Sequence, residues 1–244
     1  MQARAFEVIV SSFVLTFLKD ATDNDDVLGS DAARTVGILR RTKNALRVLK
    51  GGECEQLVCL LHGPGGSGKN TVINLVQAYA RSYCEELNHP YTSRTIIVTA
   101  MSGVAATMLH GETLHSVFGL NWKSLNEEEK DSMSDTRLCI VDSDEISFAS
   151  DRMTETMQLR FCEAFRENYG CYGKQNVVFV GDYSQLEPIP TTGRPVYKNK
   201  YLAEWHGSIN CFIELDGRHR FKEDPAWGEI LGRFREGNPT LEDV

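Results

Sequence analysis

The chain has 244 residues, 41% of them hydrophobic and 25% charged, which is typical of a folded globular protein and excludes a largely disordered one. The formal net charge of −8 argues mildly against nucleic acid as a partner, although net charge does not locate patches. Seven cysteines without paired metal-ligand spacing are predicted to be free thiols, and the apolar residues 8–18 are too few to span a membrane.

The first predicted elements are helical. Phe6, Ile9, Phe13 and Phe17 recur at helical spacing, which predicts a helix with one face on the core. An acidic, turn-rich segment over residues 20–31 then leads to a second predicted helix near residues 32–49.

A strand, a glycine-rich loop and a helix follow in immediate succession. Residues 57–61 form a continuous apolar run, as expected of a parallel strand that is buried on both faces. Val72, Val76, Tyr79 and Tyr83 then recur at helical spacing. The intervening glycines let consecutive backbone N–H groups converge on phosphate oxygens, and Lys69 reaches the terminal phosphates. The predicted nucleotide-binding residues are Gly63, Pro64, Gly65, Gly66, Ser67, Gly68, Lys69, Asn70 and Thr71.

Position 70 departs from the usual pattern of such loops. A Ser or Thr hydroxyl normally binds Mg²⁺ there, whereas this chain has Asn70 and places Thr71 one residue further along the helix. The amide oxygen of Asn70 is the candidate metal ligand.

Further apolar runs over residues 95–99, 138–141, 177–180 and 211–215 are predicted strands, separated by segments long enough for crossover helices. This alternation predicts an α/β protein with a mostly parallel sheet flanked by helices. The acidic stretch over residues 121–135 is compatible with a surface helix or a variable loop.

Acidic residues follow the predicted strand at residues 138–141. A carboxylate there would hold the metal, and a second would activate water. Two registers remain open, because Asp142 lies closer to the strand end whereas Asp144 and Glu145 form an adjacent pair. We favour Asp144 as the metal ligand and Glu145 as the catalytic base.

Two later segments bring further polar groups to the same predicted edge. The strand at residues 177–180 delivers Asp182 and Gln185, and Gln185 is a candidate for sensing the terminal phosphate or positioning the attacking water. An arginine in the segment Arg218-His219-Arg220-Phe221 is a candidate for neutralising charge on the transferred phosphoryl group, and a surface basic cluster is the equally open alternative.

In this order, the segments resemble superfamily-one DNA helicases of the Pif1 family, particularly those of eukaryotic mobile elements. Residues 2–6 are similar to the family's glutamine motif. Its second, third and fourth motifs match residues 144–147, 181–186 and 219–221 respectively. The motif that lies along single-stranded DNA matches residues 99–106 together with 111–116. By themselves, the small residues of that last motif also suit tight helix packing.

The resemblance implies a P-loop NTPase fold and a first RecA-like motor domain over residues 1–244. It further implies that Gln2 reads adenine, that Arg220 is the arginine finger, and that ATP hydrolysis with Mg²⁺ drives five-prime to three-prime movement on single-stranded DNA in repair, recombination or telomere maintenance. The implied DNA contacts are Thr99, Ser102, Gly103, His115 and Ser116. A nuclear location follows from the family alone. Because the chain stops at Val244, soon after the fourth motif, we expect the second motor domain to be absent from it.

Two alternatives compete with an active helicase. One is a mobile-element fragment that binds nucleotide, and in one version single-stranded DNA, without turnover or movement, which the expected absence of the second motor domain favours. The other is a P-loop kinase or switch GTPase, but the chain has no Asn-Lys-x-Asp guanine-reading segment, and residues 181–185 would have no evident task in a kinase.

Overall fold

The computed structural model describes residues 1–23, 40, 44, 56–119, 126–133, 136–142, 150–167, 170–184, 194, 209–217, 221 and 223–243. The predicted helix near residues 32–49 lies almost wholly outside this part of the chain, as do Asp144, Glu145, Gln185 and Arg220.

Helices and strands alternate along most of the chain. The helices are α1 (Gln2–Asp23), α2 (Lys69–Glu86), α3 (Gly103–Met108), α4 (Leu114–Phe118), α5 (Glu127–Ser132), α6 (Asp151–Ala164) and α7 (Pro225–Arg235), and a 3₁₀ turn covers Cys171–Lys174. The strands are β1 (Val58–His62), β2 (Ile96–Ala100), β3 (Glu112–Thr113), β4 (Leu138–Asp142), β5 (Val177–Gly181) and β6 (Cys211–Glu214). None of the described helices is long and apolar enough to cross a bilayer.

The six strands form one sheet in the order β3-β2-β4-β5-β1-β6, and all the pairings are parallel. The predicted parallel α/β sheet is therefore confirmed. The two-residue strand β3 was not predicted, because an element of that length has no readable periodicity.

Helices cover both faces of the sheet. On one face, α1 and α2 pack over alternate strand residues such as Leu57, Cys59 and Leu61. On the other face, Val58 and Leu60 share a core with α4 and α6, in which the Phe118 and Phe161 rings stack with centroids 4.4 Å apart. Burial on both faces explains why the central strands are continuous apolar runs.

An aromatic cluster fixes α1 against α2. Phe13 and Phe17 make edge contacts with the Tyr83 ring, at centroid distances of 6.2 Å and 5.6 Å. The Arg137 guanidinium lies over Phe17, 4.8 Å from the ring centroid. These contacts lie in the C-terminal halves of both helices and hold α1 alongside α2.

Candidate functional site

The glycine-rich loop connects the carboxyl end of β1 directly to the first turn of α2. Gly66 and Gly68 have φ angles of 82° and 95°, which L-residues with a Cβ rarely adopt. The Ser67 amide donates to the Pro64 carbonyl over 3.1 Å, and the Gly63 amide donates to the Gly181 carbonyl of β5 over 3.2 Å. The loop is thus a compact turn that presents backbone N–H groups at a helix N-terminus, where an anion is favoured.

Lys69, the first residue of α2, lies inside the curve of this loop. Its side chain is nearly inaccessible, with the residue only 3% exposed. The Nζ atom donates to the Gly63 carbonyl over 2.8 Å and to the Pro64 carbonyl over 3.2 Å. The loop therefore holds a cation at its centre, within reach of any phosphate bound by the surrounding amides.

Gln2 contacts the loop from the first turn of α1. Its Nε2 atom donates to the Ser67 carbonyl over 2.9 Å. A Cβ added to Gly68 would come within 1.9 Å of the same nitrogen, so Gln2 and the loop backbone are in close contact. The structure brings Gln2 to the nucleotide loop, and its contact with adenine stays a prediction.

Ser67 carries a buried hydroxyl that marks the loop as a binding site. The residue is buried, and its Oγ has no hydrogen-bond partner within the described part of the chain. An unsatisfied buried polar atom is costly unless a bound group satisfies it. The donor set of this loop therefore fits an anionic ligand.

Asn70 and Thr71 occupy the next two positions of α2. Asn70 is partly exposed and Thr71 is exposed, so both side chains are accessible at the start of the helix. A separate cluster of three or more His, Cys, Asp or Glu side chains suited to a metal does not occur among the described residues. Metal binding at this site would consequently depend on Asn70, the acids after β4 and the phosphates themselves.

Asp142 is the last residue of β4, in the middle of the sheet. It is buried and lies beside Ala100 of β2 and Val180 of β5 in the strand register. Its carboxylate therefore lies at the carboxyl edge of the sheet. Asp144 and Glu145 fall outside the described residues, so both registers for the metal-binding acid remain open.

Asp182 follows β5 at the same edge and is only 2% exposed. One carboxylate oxygen accepts a hydrogen bond from Arg235 Nη1. The other accepts from the Ser184 amide over 2.9 Å and lies 3.4 Å from His62 Nε2. Burial raises the pKa of this carboxyl, but the hydrogen bonds from His62, Arg235 and Ser184 outweigh it and hold the pKa well below its usual range.

His62 and Arg235 are the functional candidates that the sequence did not indicate. His62 lies at the end of β1, immediately before Gly63, but a single strand-end histidine carries no pattern. Arg235 is the last residue of α7 and lies 53 positions from its partner Asp182. The local signal of Arg235, a basic residue in the last turn of a helix, is shared with Arg233 and does not single it out.

The residues of the proposed DNA motif differ in accessibility. Ser102, Gly103, His115 and Ser116 are exposed, on and before α3 and in α4. Thr99 is 0% exposed, and its hydroxyl donates to the Ile140 carbonyl over 3.4 Å. Direct contact between the Thr99 side chain and DNA would require the strand to open, so Thr99 is instead suited to fixing the loop that follows it.

Two glycines of this motif show whether tight packing or access for a ligand explains its small residues. A Cβ on Gly111 would lie 2.3 Å from the Val98 carbonyl oxygen, so tight packing requires glycine there. At Gly103, no atom of the described residues lies within 4 Å of an added Cβ. Tight packing thus explains Gly111 but not Gly103, whose surface is open to a ligand.

The candidate residues converge because the sheet is parallel. The glycine-rich loop follows β1, Ser102 follows β2, Asp142 ends β4 and Asp182 follows β5. Carboxyl ends of parallel strands meet at one edge, which is where α/β proteins bind ligands. The arrangement brings a phosphate-binding loop, a buried acid and an accessible small-residue surface to that edge.

Known proteins resemble this chain in sequence and fold. The family model described as PIF1-like helicase matches residues 52–222. The ATP-dependent DNA helicase PIF1 of Emericella nidulans is 27% identical over 188 residues, which cover 72% of this chain and 24% of that protein.

Solved structures show the same fold. The Pif1 helicase from Candida albicans superposes with a TM-score of 0.61 at 24% identity, covering 81% of this chain and 43% of that one. The Bacteroides Pif1 helicase in complex with ADP-AlF3 and single-stranded DNA gives 0.58 at 20% identity, covering 82% and 47%. The chain therefore spans about a quarter of that curated relative and less than half of those solved chains.

Proposed function

The chain belongs to the PIF1-like helicase family, and on that premise we propose that it is the first motor domain of an ATP-dependent DNA helicase. The proposed reaction couples ATP hydrolysis, with Mg²⁺, to five-prime to three-prime movement on single-stranded DNA in repair, recombination or telomere maintenance. The observation that carries the proposal is the loop of residues 63–71, with Lys69 enclosed by it and a helix N-terminus behind it.

The loop's own groups would hold the nucleotide. Its backbone amides surround the phosphates, and Lys69 exchanges its carbonyl partners for phosphate oxygens. Ser67 Oγ, which lacks a partner within the described residues, gains one. Gln2, already hydrogen-bonded to Ser67, lies beside the loop for the proposed adenine contact.

The metal ligands and the catalytic groups would come from the same edge of the sheet. Mg²⁺ supplies charge neutralisation for the phosphates when it is bound. Asn70 and Asp144, or Asp142 in the other register, are the proposed ligands. Glu145 is the proposed base. Gln185 positions the attacking water, and Arg220 stabilises charge on the transferred group.

Single-stranded DNA is the proposed partner of the exposed surface formed by α3 and α4. The open space around Gly103 allows a backbone to approach closely, and the exposed Ser102, His115 and Ser116 offer hydrogen bonds. A contact of this kind does not need a strongly basic surface over the whole domain. The nuclear location implied by the family stays a prediction, because similar helicases come from bacteria as well as fungi.

ATP hydrolysis by the purified chain tests the proposal. We expect Mg²⁺-dependent turnover that single-stranded DNA increases, and loss of nucleotide binding in Lys69→Ala. Lys130→Ala is the matched control, because the Lys130 side chain is also largely covered, at 18% exposed, but pairs with Glu127 and Glu163 and not with the loop. Nucleotide affinity unchanged in Lys69→Ala would refute the site. Binding of ATP without hydrolysis by the wild type would instead favour the fragment that binds without turnover, as Asn70 suggests.

A further inference from the structure

A buried ion pair joins the end of α7 to the catalytic edge of the sheet. Arg235 Nη1 donates to a carboxylate oxygen of Asp182, which is almost completely buried. The Arg235 side chain is itself mostly buried, at 23% exposed. A buried carboxylate needs a cation and full hydrogen bonding, so this contact defines where the carboxylate lies.

The second oxygen of Asp182 defines the path of the next residues. Because this oxygen accepts from the Ser184 amide two residues later, the side chain closes a local turn over residues 182–184. Gln185 is the residue that follows this turn. The orientation of the Asp182 carboxylate therefore sets the conformation of residues 182–184.

The same turn is connected to the nucleotide loop. His62 Nε2 lies 3.4 Å from the Asp182 carboxylate, and its ring stacks between Tyr183 and Phe212 at centroid distances of 6.2 Å and 5.9 Å. One residue before Asp182, the Gly181 carbonyl accepts from the Gly63 amide. Loop and turn are thus held in a fixed relation, with Arg235 as the contact from α7.

We propose that Arg235 is a positioning residue that holds the Asp182 carboxylate, and with it the turn over residues 182–184, in a fixed relation to the nucleotide loop. This inference rests on the proposed function, in which Gln185 orients water or senses the terminal phosphate. Arg235 need not touch the nucleotide. Loss of Arg235 would leave the phosphate-binding loop in place but free the Asp182 carboxylate and its turn to move relative to that loop. A misplacement of about 1 Å at a reacting centre can cost on the order of 100-fold in rate.

The chain offers a matched control two residues away. Arg233 lies on the same helix and also binds a carboxylate, through Nε to Asp243 Oδ2 at 2.7 Å. That partner belongs to the turn after α7 and not to the sheet edge. Removing either arginine deletes one guanidinium–carboxylate pair from α7, but only Arg235 connects the helix to Asp182.

The experiment compares Arg235→Ala with Arg233→Ala in Mg²⁺-dependent ATP hydrolysis. We expect kcat to fall about 10- to 100-fold in Arg235→Ala while KM and ADP affinity stay within about 2-fold, the pattern of an interaction made only in the transition state. Affinity for ADP with aluminium fluoride should fall with kcat. Arg233→Ala should leave all four quantities within about 2-fold.

Arg235→Lys provides a second variant if the alanine variant does not fold. Lysine keeps the charge but not the planar fork, so kcat should fall less than in Arg235→Ala, again with KM unchanged. The inference would be overturned if either Arg235 variant had the same kcat as the wild type. It would also be overturned if ADP affinity fell by the same factor as kcat. A wild type that neither hydrolyses ATP nor binds ADP would refute the proposed function itself, and the inference with it.

Discussion

Gly68→Ala tests how closely Gln2 and the phosphate-binding loop depend on each other. Gly68 precedes α2 with a φ of 95°, and an alanine held in the left-handed region costs about 1–2 kcal/mol. Its Cβ would also lie 1.9 Å from Gln2 Nε2. Because that nitrogen ends a flexible side chain, Gln2 would move away and lose its hydrogen bond to Ser67, worth about 0.5–1.5 kcal/mol.

The expected total loss in the free energy of unfolding is about 1.5–3.5 kcal/mol, which lowers Tm by roughly 3–14 °C in a domain of this size. The two effects can be separated with Gln2→Ala. If Gly68→Ala already displaces Gln2, adding Gln2→Ala should cost almost nothing further, whereas Gln2→Ala alone should cost about 0.5–1.5 kcal/mol.

Urea unfolding of the wild type, both single variants and the double variant measures this coupling. Gly103→Ala is the control, because its Cβ meets no described atom within 4 Å and its helical position should be neutral or slightly stabilised. Strictly additive losses in the double variant would show that Gln2 and Gly68 do not interact, and would refute the reasoning.

Two further variants address the metal and the buried acid. Asn70→Thr should raise the rate of Mg²⁺-dependent ATP hydrolysis about threefold to tenfold, because threonine supplies a hydroxyl ligand for the metal. The control Asn74→Thr, one turn along the exposed side of α2, should leave the rate unchanged. Equal rates for Asn70→Thr and the wild type would show that Asn70 does not limit hydrolysis. The pKa of the Asp182 carboxyl lies below its ordinary value of 3.8, so its contribution to stability is present above about pH 4 and is lost as the pH falls further. The stability difference between wild type and Asp182→Asn, measured by urea unfolding, should therefore shrink from about pH 5 to pH 3, and a difference that grows over that range would contradict this assignment.

The sequence predicted the elements near the site because their signals are local. The run over residues 57–61, the glycines before Lys69 and the spacing of Val72 and Val76 each specify a backbone conformation within a few residues. The corresponding strand and helix, β1 and α2, form with boundaries within a few residues of the prediction. Thr99 was predicted to lie at the end of a strand, and only the family resemblance implied that it contacts DNA; its burial depends on what packs beside the strand.

What the sequence by itself determined is the α/β class, the phosphate-binding loop and the family, since each depends on residue types at short, fixed spacings. Only the tertiary structure decided the strand order, the contact of Gln2 with Ser67 and the pairing of Arg235 with Asp182. These partners are 65 and 53 positions apart. Their contact depends on how helices pack on a sheet, and no periodicity along the chain encodes which distant side chains that packing brings together.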